Sequence, residues 1–113
     1  MVREVKPLSI AEFKAANGKI PFREWLESLQ IIDRATIDAR IERLKQGNFG
    51  NYRSLGDGVS ELKIDTGPGY RIYYGRQGNM LVILLCGGTK RTQKADIKTA
   101  KKYWKEFKEA KHE

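Results

Sequence analysis

Gly58-Val59-Ser60-Glu61-Leu62-Lys63-Ile64-Asp65 and Tyr70-Arg71-Ile72-Tyr73-Tyr74 flank a Gly67-Pro68-Gly69 break, and both segments alternate with a period of two. That period is the signature of a strand with one face buried. Leu62 and Ile64 face one way, and Glu61, Lys63 and Asp65 the other. In the second strand Ile72 and Tyr74 oppose Arg71 and Tyr73. The two apolar faces coincide only if residues facing across the hairpin share the same parity. An odd-length connection through Gly67-Pro68-Gly69 achieves this, whereas an even one misplaces a whole face. In that register Lys63, Arg71 and Tyr73 share the face away from the core. A turn over Gly75 to Asn79 then leads into Met80 to Cys86, apolar throughout, as expected of an interior strand covered on both sides. Cations and aromatics at alternating positions of a small sheet make a phosphate-binding surface.

Upstream of this sheet the period is helical. Asn17-Gly18 signals a turn, and Pro21 suits a first helical turn. Phe22, Trp25, Leu26 and Leu29 then follow at helical spacing. Asp33 is the predicted N-cap of a second helix, whose apolar stripe is Ile37, Ile41 and Leu44 and whose stop is Gly47. The two helices read as a helical hairpin. A further strand is expected around Val5 to Phe13. Downstream, a long helix is expected from about Thr92, with Thr92 as a cap. Ile97, Ala100, Trp104 and Phe107 form its apolar stripe, and Lys94, Lys98, Lys101 and Lys105 form a cationic stripe beside it. Trp25, Trp104 and Cys86 are expected in the core. The whole predicts an α+β fold in a single domain over residues 1–113, since halves of this length fold poorly alone.

The net charge is +8 and the pI is near 9.7. Residues 90–113 hold nine Lys/Arg against four Asp/Glu, so the positive charge is concentrated at the C-terminal end. A balance of this size attracts polyanions. One cysteine, no secretory pattern and no apolar run long enough to span a bilayer point to the cytoplasm and away from membranes. The single histidine, His112, sits near the end of the chain, which argues against histidine-based hydrolysis. No metal-ligand spacing and no Gly-rich nucleotide loop are visible, so neither a metal nor a cofactor is expected.

Lysine, arginine and tyrosine suit one reaction. In RNA the 2′-hydroxyl attacks its own 3′-phosphate, and charge builds on the phosphoryl and leaving oxygens. Arg71 offers a fork of donors to the phosphate. Lys63, among other cations, is the candidate acceptor of the 2′-hydroxyl proton. Lys90 or Arg91 is placed to neutralise or protonate the leaving oxygen. Tyr73 can stack on a base. Arg53, Arg91, Gln93, Lys94 and Lys98 complete the candidate RNA-binding set. A plainer reading pairs Arg71 with Asp65 or Glu61 across the strands and leaves the lysines solvated.

Gly47-Asn48-Phe49-Gly50, Gly58 to Lys63, Gly67 to Tyr74 and Leu84 to Gln93, with Pro21-Phe22-x-x-Trp25-Leu26 and Asp96-Ile97-Lys98-x-Ala100, resemble the addiction-module killer proteins, the HigB-like toxins of the RelE superfamily. The resemblance implies a small twisted, mainly antiparallel sheet packed against an N-terminal helical hairpin and a C-terminal helix. It also implies a toxin of a bacterial toxin–antitoxin pair: an mRNA endoribonuclease, in many members ribosome-dependent, inhibited by a helix-turn-helix antitoxin. Its catalytic cations fall on the strands of Lys63 and Arg71 and at Lys90 and Arg91. The C-terminal helix has no clear equivalent of the late aromatic of RelE itself. Two other readings stand beside the nuclease: a non-catalytic RNA- or ribosome-binding module, and a degenerate toxin kept as an antitoxin partner.

Overall fold

The computed structural model describes residues 8–78 and 81–110. The elements run β1 (Ser9–Glu12), α1 (Pro21–Ser28), α2 (Ile31–Lys45), β2 (Tyr52–Gly56), β3 (Val59–Ile64), β4 (Tyr70–Gln77), β5 (Leu81–Thr89), a 3-10 turn (Lys90–Thr92) and α3 (Gln93–Ala110). The five strands form one sheet in the order β1-β5-β4-β3-β2. Three neighbouring pairs are antiparallel and β1–β5 is parallel, so the fold is α+β with a mixed sheet.

The hairpin has the odd connection that the alternation requires. Ile64 pairs with Tyr70, Lys63 with Arg71 and Leu62 with Ile72. Leu62, Ile64, Ile72 and Tyr74 therefore pack on one face with Phe22, Leu26, Ile37 and Leu44 of the two N-terminal helices. Full burial of each such side chain is worth about 1.5–3 kcal/mol.

The opposite face is a second core rather than an open surface. Val59, Tyr73, Ile83, Leu85 and Cys86 pack there against Ala100 and Trp104 of α3. A bulge in β5 lets it serve both cores. Tyr73 pairs with Cys86 and Tyr74 with Leu84, which leaves Leu85 as the extra residue. Leu85 and Cys86 thus join the same cluster, and Gly88 comes to lie opposite Arg71. Each face carries a tryptophan laid on a glycine. Trp25 occupies the space that a Cβ at Gly87 would need, and Trp104 does the same at Gly75.

Several expectations change. Helix α2 is capped by Gln30, which gives no side-chain bond, and Asp33 lies inside the first turn. Leu29 and Gln30 alone are extended between the helices, so the chain re-enters a helix before Asp33 is reached, and its carboxylate faces the dipole instead. Strand β1 covers only Ser9–Glu12, and Val5 to Pro7 lie outside the described residues. Strand β2 carries no alternation because it is an edge strand, exposed at every position except Leu55. The stop at Gly47 is as expected: it adopts φ +84°, and its N–H donates to Leu44 O at 2.9 Å.

Candidate functional site

Where β2, β3 and β4 meet the start of α3, the sheet edge is hollowed into an open groove of about 360 Å3. Its lining includes Tyr52 and Arg53 from β2 with Asn51 just before it, Glu61 and Lys63 from β3, Arg71 from β4 and Gln93 from α3. The register explains the convergence. Arg53 pairs with Glu61, and Lys63 pairs with Arg71, so alternate positions of three adjacent strands project together. Gly88 beside Arg71 has no side chain, and a Cβ there would collide with Asp96 of α3. Glycine at this position therefore lets the start of α3 close over the strand ends. The 3-10 turn is braced by a capping box between Thr89 and Thr92, and the Thr92 hydroxyl donates to Asp96 Oδ2 at 2.5 Å.

Glu61 lies at the centre of the groove and is only 3% exposed. Its Oε1 accepts from Arg53 Nε at 3.1 Å and its Oε2 from Gln93 Nε2 at 2.7 Å. Arg71, itself 4% exposed, holds its Nε 3.8 Å from the same carboxylate. That is an ion-pair distance without a hydrogen bond. Arg71 Nε and Nη1 accordingly find no hydrogen-bond partner among the described residues. Two buried, charged donors without an acceptor are costly in a folded protein, on the order of 1–3 kcal/mol each. An anion entering the groove meets a guanidinium already held in place with donors to spare.

Among the sequence-predicted residues, Lys63, Arg71, Arg53 and Gln93 share this groove. Lys63 is half-exposed, and its Nζ lies 3.4 Å from Asp65 Oδ1. Lys90 is not part of the lining; it is exposed, and its backbone N–H donates to Gly69 O at 2.8 Å. Arg91, Lys94 and Lys98 line a separate shallow groove on the first turns of α3. Tyr73 is fully buried in the second core, so it offers no ring face to a base. The reason is α3, which covers the face that the alternation alone leaves open. Sequence reasoning missed Tyr52, which is 56% exposed, lines the groove and packs its ring 5.6 Å from that of Phe49. It also gave Glu61 only a pairing part. The available signal was the Asn51-Tyr52-Arg53 run, an aromatic and a cation two residues before the Gly56-Asp57-Gly58 turn.

Three buried groups of the sheet, the Tyr73 and Tyr74 phenols and the Cys86 thiol, hold their protons more tightly than usual. Burial, and then the nearby Glu61 charge, push the Tyr73 phenol upward. Burial drives Tyr74 up to about 12 and, with the Asp96 charge, drives the Cys86 thiol up to about 12. The unfolded chain releases these protons from about 9.0 for the thiol and 10.0 for the phenols. Between those values and about 12 the folded state binds more protons, so the contribution of these groups to stability declines as pH rises there and is level below about pH 9. Urea midpoints at a series of pH values from 7 to 11 are expected to hold level and then fall above about pH 9. A level midpoint through pH 11 would contradict this burial.

Among the described residues no group of three or more His, Cys, Asp or Glu side chains is placed to hold a metal, and no helix is long and apolar enough to cross a membrane. Comparison with known proteins adds a relationship. An uncharacterized protein of Haemophilus influenzae is 53% identical over 83 residues, which cover 73% of this chain and 84% of that protein. Residues 24–108, spanning both helical layers and the groove, match the family described as phage derived protein Gp49-like (DUF891). That family is associated with addiction-module toxins. The chain belongs to the Gp49-like family of phage-derived proteins.

Proposed function

We propose that this protein is the toxin of a bacterial toxin–antitoxin pair and that it is an mRNA endoribonuclease of the RelE/HigB type, acting on ribosome-bound mRNA in the cytoplasm. The family association supports the toxin part and implies a cognate antitoxin. The observation that carries the nuclease part is Arg71: a buried guanidinium with two unpartnered donors, in a groove it shares with Lys63 and Arg53.

In this reading Arg71 grips the non-bridging oxygens of the scissile phosphate. The 2′-oxygen attacks the adjacent phosphorus and the bond from phosphorus to the 5′-oxygen breaks. The products are a 2′,3′-cyclic phosphate and a 5′-hydroxyl. Lys63 is the candidate acceptor of the 2′-hydroxyl proton. Lys90, exposed just past the end of β5, gives a proton to the leaving oxygen. Glu61 keeps Arg53 and Arg71 aimed into the groove, and Tyr52 takes the stacking part first given to Tyr73. Gln93 fixes Glu61, while Arg91, Lys94 and Lys98 attract RNA along the outer side of α3.

Expression in a bacterium without an antitoxin tests this directly. Growth arrest with new, codon-phased mRNA 5′ ends is the expected outcome. Arrest without new ends means a binder that does not cut, and normal growth means a degenerate toxin. A small helix-turn-helix protein that co-purifies with the chain and restores growth is the expected partner.

A further inference from the structure

A second cationic groove adjoins the first. Thr36, Arg40 and Arg43 line it from one face of α2, and Asn51, Lys63 and Asp65 line it from the sheet side; its volume is about 460 Å3. Spacings of four and three residues stack Thr36, Arg40 and Arg43 along a single helix face. Asn51 and Lys63 line both grooves, so the two are continuous across β3. The second groove holds three cations against one carboxylate, that of Asp65, which is already 3.4 Å from Lys63.

Arg40 is the built part of this surface. It is half-buried, and its Nε finds no hydrogen-bond partner among the described residues. Its guanidinium stands against Gly50, at φ +58°, in the space a side chain there would fill. Neither Arg40 nor Arg43 makes a salt bridge among the described residues. Two unpaired guanidinium forks on one helix face suit phosphate oxygens better than they suit carboxylates scattered along a flexible chain.

We infer that this groove is a subsite for a flanking phosphate of single-stranded RNA. The strand whose reacting phosphate lies at Arg71 runs over Lys63 and sets a neighbouring phosphate on Arg40 and Arg43. The inference rests on the proposal that RNA is the substrate, and it makes the length of the RNA matter: a dinucleotide reaches only the first groove, and a hexanucleotide reaches both.

Binding of labelled 2′-O-methyl oligonucleotides, which lack the attacking hydroxyl, reads this without cleavage. For the hexanucleotide, Arg43→Gln is expected to weaken binding about 3–10-fold and to reduce the slope of log affinity against log salt by about 0.7. Arg40→Gln combined with Arg43→Gln is expected to weaken it about 10–100-fold and to reduce the slope by about 1.4. Dinucleotide binding should stay as in the parent. Arg43 is exposed on the last turn of α2, so its single replacement stands clear of folding. Hexanucleotide affinity and slope unchanged in both variants overturn the inference. So does a hexaglutamate peptide that binds as tightly as the hexanucleotide and loses the same affinity, since the groove would then take acidic polypeptide. Wild-type cleavage with unaltered variant binding removes this subsite alone. Variant-sensitive binding without any wild-type cleavage removes the nuclease and keeps the subsite.

Discussion

Arg71→Met is expected to stop RNA cleavage and leave the protein as stable as the parent, or more so. The loss follows from position. Arg71 Nε and Nη1 are buried in the groove without a hydrogen-bond partner among the described residues, so they are available to a developing phosphorane. Removing one preorganised donor of this type costs about 100–1,000-fold in rate, or about 2.7–4 kcal/mol. The stability follows from the same fact. Met fills similar space without two desolvated donors, and Glu61 keeps Arg53 and Gln93. A group that costs stability where it sits and is needed there for chemistry is the usual mark of a functional site. Thermal and urea unfolding beside a cleavage assay reads both effects. Arg71→Lys should also be inactive, because a single ammonium cannot make the two-pronged contact. A variant that still cuts RNA, or one that loses more than about 2 kcal/mol of stability, would make Arg71 a structural residue.

Glu61→Ala has the opposite expected balance. Both Glu61 and Arg71 are almost fully buried, so deleting the carboxylate strands a guanidinium in the interior. Breaking one side of a buried pair typically costs about 3–5 kcal/mol. Arg53, with 60% of its side chain exposed, adds little to that cost, about 0–1 kcal/mol at a screened surface. Against a total stability of about 5–15 kcal/mol the variant is expected to unfold at clearly lower urea. The double change Glu61→Leu with Arg71→Met should recover most of the loss, because it removes both charges together. A Glu61→Ala midpoint equal to that of the parent would show that the pair does not organise the groove.

The hairpin was legible because parity is a strict constraint. Leu62, Ile64, Ile72 and Tyr74 can share a face only with an odd connection, and the observed Ile64–Tyr70 pairing supplies it. The helices were legible from their stripes, with the start of α2 misplaced because no side chain caps it. Tyr73 was misread for a physical reason that two stripes together reveal. Once α1 and α2 occupy one face of the sheet, the Ile97, Ala100 and Trp104 stripe of α3 has only the other face to bury against. The face assigned to solvent by alternation is therefore half core and half groove, and the boundary falls between Arg71 and Tyr73. Lys63, Arg71, Arg53 and Gln93 converge because register and the α3 start carry them there. Tyr52 was missed because edge strand β2 shows no burial period, which leaves its aromatic-cation run as the one signal. Glu61 looked like a solvated partner, since nothing local in the sequence shows that α3 will close over it.

The chemistry of the cut ends tests the central claim most directly. Purified protein is added to translating ribosomes with a defined mRNA, and the new termini are identified by their reactivity toward kinase and phosphatase. The expected ends are 2′,3′-cyclic phosphates and 5′-hydroxyls, present with the parent and absent with Arg71→Met. Ends bearing 5′-phosphates and 3′-hydroxyls, or cleavage that persists in Arg71→Met, would contradict the claim that a cationic groove drives the 2′-hydroxyl attack.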